Sequence, residues 1–91
     1  MTTTSPARHH WAGTTLDNGA LVVSLTWFDS RADRNDGVVL CYWKSSPDPY
    51  VTWSVTTVRT PDNAVRLEPY FGHYFDSLVA AATDYAKRGG R

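Results

Sequence analysis

Isoleucine and glutamine are absent from this chain, and cysteine and methionine occur once each, as Cys41 and Met1. A lone cysteine rules out an intramolecular disulfide and suits a reducing compartment. No run approaches the ~20 apolar residues of a membrane-spanning helix, and the Thr-rich start has neither the basic region nor the apolar stretch of a signal peptide. These absences predict a cytoplasmic protein with no membrane partner. An excess of one charge is missing too: nine basic residues balance nine acidic ones, which removes the net-charge argument for nonspecific binding to nucleic acid or an anionic surface. The missing Ile and Gln, with seven Arg against two Lys, match the usage of GC-rich coding DNA.

Ninety-one residues leave room for one domain, and a chain of this size hides only about 60–65% of its unfolded surface. Residues 1–7, small and polar, are expected to form a frayed, disordered tail, with the domain occupying 8–91. Within it, runs 20–28, 38–44 and 50–58 are rich in β-branched and aromatic residues and bounded by Gly, Pro, Asp or Ser. They read as consecutive antiparallel strands. A short first strand is expected over 8–15, ahead of an Asp17-Asn18-Gly19 turn. In the next strand Leu21, Val23, Leu25 and Trp27 form the apolar face and are expected to lie on the core. The run 38–44 is apolar on both faces and belongs mid-sheet. In 50–58, Val51, Trp53 and Val55 point inward, and Thr52, Ser54 and Thr56 form a row expected to face water. A short return strand over 64–68 follows, and Pro69 and Gly72 predict a bulge or kink before His73.

One helix is expected, opened by Asp76 as its cap. It carries an inward stripe of Leu78, Val79, Ala82, Tyr85 and Ala86, with Lys87 and Arg88 set against the negative end of its dipole. The predicted fold is therefore α+β: a four- or five-stranded antiparallel β-meander with one C-terminal α-helix packed on one face.

Motifs that carry chemistry are scarce. His9 and His10 are adjacent, so on a strand they would point to opposite faces and chelate poorly. The acidic loop 29–37 suggests calcium, but counting from Asp33 puts Val38 and Lys44 where an EF-hand needs Gly and Glu. No metal site, cofactor or catalytic set is predicted. Cys41 sits in an apolar strand that disfavours thiolate, and His73 reads as a backbone-bonding residue, so an enzyme built on Cys41 and His73 is the weakest alternative.

The aromatic residues are the stronger signal. Four Trp, five Tyr and three Phe exceed what so small a core can hide, and exposed rings beside arginines mark protein interfaces. The expected partner-binding set is Phe28, Arg31, Arg34, Tyr42, Trp43, Tyr70 and Phe71. A homodimer is compatible with an uncovered sheet edge. Single-stranded nucleic acid stacked on an open aromatic sheet face is a second reading, disfavoured by the balanced charge.

Gly72-His73-Tyr74-Phe75-Asp76-x-Leu78, running on to Asp84-Tyr85, resembles the ending of many small uncharacterised proteins encoded by actinobacteria and their bacteriophages, as does the strand Tyr50-Val51-Thr52-Trp53. The resemblance implies a protein that binds and modulates or inhibits a host protein, and it assigns no functional residues.

Overall fold

A computed structural model describes residues 11–30 and 35–89. Four strands, β1 (Leu21–Ser30), β2 (Asn35–Tyr42), β3 (Tyr50–Arg59) and β4 (Val65–Phe75), form one antiparallel sheet in the order β1-β2-β3-β4, and α1 (Leu78–Gly89) follows. The α+β meander expected from the sequence is thus the fold, with four strands. The tail 1–7, His9, His10 and loop residues 31–34 lie outside the described residues.

The expected first strand does not form over 11–15. The carbonyl of Trp11 accepts both the amide and the hydroxyl of Thr14, at 3.0 and 2.5 Å, and Gly13 takes a φ of +87°. This turn breaks the extension, leaving a single bridge between Thr15 and Leu21. The predicted turn at 17–19 is present: the Gly19 amide donates to the Leu16 carbonyl at 2.8 Å, and Asn18 Oδ1 accepts from the Ala20 amide at 2.9 Å.

Strand β1 corrects the predicted core face. Val22 pairs with Cys41 and Ser24 with Leu40, so Val23 is a bulged extra residue. One extra residue moves everything before it to the other face. Val22 is therefore 1% exposed, whereas Val23 is 45% and Leu21 38% exposed. The core joins Val22 to Leu16, Ala20, Val39, Cys41, Val51, Trp53, Val55 and Leu67, and Trp11, Leu25, Trp27 and Trp43 pack against it. All four indoles serve this one face, and they close it without help from the helix.

Helix α1 lies on the opposite face, over the Ser/Thr row expected to face water, and Thr52 there is fully buried. Of the predicted apolar stripe Tyr85 docks on the sheet, whereas Leu78, Val79, Ala82 and Ala86 do not. Leu78 and Val79 are exposed, Val79 by 76%, and Ala81 is the helix's one buried residue. Polar groups make the contact instead. The Tyr85 hydroxyl sits 3.0 Å from Ser24 Oγ and 2.6 Å from Thr26 Oγ1, and the Thr52 hydroxyl donates to Asp84 Oδ2 at 2.5 Å. Gly89 completes the fit, since a Cβ there would stand 3.3 Å from Val38 Cγ1 and 3.4 Å from Thr26 Cγ2. β2 is accordingly buried on both faces, by the core on one side and the helix on the other, as its two-sided apolar pattern predicts. The helix cap is Ser77, not Asp76: its carbonyl accepts from the Ala81 amide at 3.1 Å and its Oγ from the Ala80 amide at 3.4 Å.

Candidate binding groove at the β4 bulge

Pro69 cannot donate to a ladder, and Gly72 is the one residue type that fits beside Trp53. A Cβ at Gly72 would lie 2.6 Å from Trp53 Nε1. Pairing therefore skips: Thr52 faces His73 and Ser54 faces Tyr70, so Phe71 and Gly72 together oppose Trp53. The bulge predicted from Pro69 and Gly72 is present, but β4 continues through it to Phe75 rather than ending at 68. Phe71 takes a φ of +53°, in the left-handed region that a bulky side chain enters at a cost of about 1 kcal/mol. Its ring is 76% exposed, edge-on to Tyr70 with centroids 5.1 Å apart.

Arg88 reaches this bulge from the last turn of α1. Its Nη1 donates to the carbonyl and hydroxyl oxygens of Thr52 at 3.1 and 3.0 Å; Nη2 donates to Ser54 Oγ at 2.7 Å and to the Phe71 carbonyl at 2.9 Å. The helix end is thus tied to the residue with the strained backbone. Phe28, Ser54, Tyr70, Phe71 and Arg88 line an open groove of about 360 Å³. Among the described residues Arg88 forms an ion pair with Asp84, 3.9 Å away. Asp84 accepts from Thr52 and stands 3.0 Å from His73 Nδ1. Burial would raise the Asp84 pKa, but the bonds from Thr52 and His73 and the charges of His73 and Arg88 outweigh it and hold the carboxyl below its ordinary value.

The groove gathers Phe28, Tyr70 and Phe71 from the predicted set. Tyr42 is elsewhere, against Tyr50 at the first residue of β3 with ring centroids 5.5 Å apart. Trp43, expected to leave the core, packs against it, 5.6 Å from the Trp53 ring and 6.4 Å from Tyr74. Arg31 and Arg34 fall outside the described residues. Sequence reasoning missed Ser54 and Arg88. Their signal was the stripe Ser77, Ala81, Asp84, Tyr85 and Arg88, a polar helix face whose spacing matches a hydroxyl row on a strand.

Cys41 and His73 are not brought together. Cys41 is in the core on the indole face, whereas His73 meets Asp84 on the helix face, so the sheet separates them. Burial pushes the Cys41 thiol up to about 12. Among the described residues no three His, Cys, Asp or Glu side chains come together as metal ligands, and no helix is long and apolar enough to cross a membrane. The chain has no match among protein-family models, curated proteins or solved structures.

Proposed function

We propose that this chain is a noncatalytic protein-binding module whose contact surface is the β4 bulge, with Tyr70 and Phe71 as anchors and Phe28 and Arg88 beside them. The observation that carries this reading is Phe71: a large ring, 76% exposed, on a left-handed backbone that the Gly72–Trp53 fit and the Arg88 bond hold in place. Backbone strain of this kind persists where the surroundings impose it, and it concentrates at binding and switch sites. Rigid aromatic side chains beside an arginine are also the groups that dominate binding energy at protein interfaces. A host protein as the target, and a bacteriophage origin, belong to the proposal through the sequence resemblance alone.

Stacked single-stranded nucleic acid draws less support, because the helix covers one sheet face and the indoles on the other pack against the core.

Phe71→Gly tests the reading. Glycine relieves the left-handed strain at a backbone-entropy cost of about 0.5–1 kcal/mol, so the melting temperature should stay within a few degrees of wild type. Affinity capture from a bacterial host lysate with both forms should recover a stoichiometric protein that Phe71→Gly no longer retains. Equal recovery by both forms, or no stoichiometric protein with either, would remove the bulge as the contact surface.

A further inference from the structure

Apart from the aromatic walls, the groove at the β4 bulge offers the Ser54 hydroxyl as a donor and the positive charge of Arg88, with no acid among its described lining residues. Its polar floor is Arg88 and Ser54. Ser54 Oγ accepts from Arg88 at 2.7 Å, so its own proton remains to be donated. The Arg88 side chain is only 16% exposed, and three of its four bonding partners are uncharged hydroxyls or carbonyls on Thr52 and Ser54, the fourth being the uncharged Phe71 carbonyl. Asp84, which could neutralise it, is 3.9 Å away and shared with Thr52 and His73. Asp84, shared in this way, offsets the Arg88 charge only in part, so the half-buried guanidinium still favours an anion beside it, and a charge-assisted bond there is roughly twice as strong as a neutral one. The three rings line the same groove and favour an apolar group next to that charge.

From this we infer that the groove takes a peptide segment of the partner protein in which an acidic side chain adjoins an aromatic or aliphatic one. The carboxylate faces Arg88 and the Ser54 hydroxyl, and the apolar side chain lies against Phe71 and Tyr70. The inference rests on the protein-binding reading and names the chemistry of the partner. A groove of about 360 Å³ is at the small end of ligand clefts, suited to a short peptide segment.

The test is a titration of the isotope-labelled full chain, followed by amide and arginine side-chain resonances. The probe is the acetylated, amidated peptide Gly-Phe-Asp-Gly, compared with its Gly-Phe-Asn-Gly counterpart. The Asp peptide should shift the Tyr70 and Phe71 amides and the Arg88 side chain, bind at least tenfold more tightly than the Asn peptide, and weaken as salt rises. Ser54→Ala should lower affinity for the Asp peptide severalfold, and the Asn peptide by less, because its neutral amide oxygen accepts a weaker bond from the same hydroxyl. It is the primary variant because Arg88 also docks the helix, and its substitution could disturb the fold. Equal binding of the two peptides, or shifts confined to other surfaces, would overturn the acid preference while the Phe71→Gly capture result decides the protein-binding reading separately. N-acetylphenylalanine binding as tightly as the Asp peptide would make this a site for small aromatic acids and would overturn the peptide assignment.

Discussion

Thr56 and Gly72 show two ways in which single positions set the stability of this sheet. The Thr56 hydroxyl is buried with no hydrogen-bond partner among the described residues, and a buried polar atom without a partner forfeits its hydration with nothing in return. Thr56→Val removes the hydroxyl, keeps the β-branched shape and suits a strand. It should stabilise the protein by about 1 kcal/mol, raising the melting temperature by about 4–8 °C. Calorimetry showing a lower melting temperature would mean that the hydroxyl is satisfied in solution. Gly72→Ala acts in the opposite direction. The added methyl would meet Trp53 Nε1 at 2.6 Å and Cδ1 at 2.9 Å, and Trp53 is buried and cannot swing aside. Overpacking of this kind costs about 1–3 kcal/mol, to be seen as an earlier midpoint in urea unfolding followed by tryptophan fluorescence.

At the scale of elements, the helix is held by acceptors and donors rather than by an oily stripe, so its docking should depend on pH. Asp84 has its pKa lowered in the folded state, below an ordinary value of 3.8. A lowered pKa means that the folded protein prefers the carboxylate. Its stabilising contribution is therefore complete above about pH 5 and lost as pH falls through the native value. Asp84→Asn should lower stability at neutral pH and flatten the acid limb of a plot of urea midpoint against pH; an unchanged limb would show that Asp84 does not couple helix docking to pH. The same chemistry explains what the sequence concealed. The strands were legible because β-branched residues alternate and are bounded by turn residues, and Pro69 and Gly72 marked the β4 bulge in advance. The bulge at Val23 has no Gly or Pro to announce it, and it transferred Val22 to the core. A Ser/Thr row that receives a helix looks, in sequence, like a row that receives water. Leu78 and Val79 suggested an apolar stripe, but the helix turns Asp84, Tyr85 and Arg88 to the sheet, which hid Ser54 and Arg88 as parts of the groove.

Across the whole molecule, burial is divided unequally. One face of the sheet carries the apolar core and all four tryptophans, the other carries a polar helix interface, and β1 and β4 both carry bulges. Bulges disrupt the regular ladder that a second sheet would need to add to an edge. Cys41 belongs to the apolar side, fully buried on β2, one of the two inner strands, with burial pushing its thiol up to about 12. Alkylation requires thiolate and access, and the core supplies neither. Since Cys41 touches the part of the structure that β1, β2 and β3 build together, it should react only when those strands separate. Its labelling rate at pH 8 should then track the unfolded fraction and be suppressed about a thousandfold or more relative to the urea-unfolded chain, for a domain held by about 5 kcal/mol. Thr56→Val, stabilising by about 1 kcal/mol, should slow labelling about fivefold further. Rapid alkylation of the native protein, insensitive to that substitution, would show β2 opening on its own and would contradict a single cooperative core.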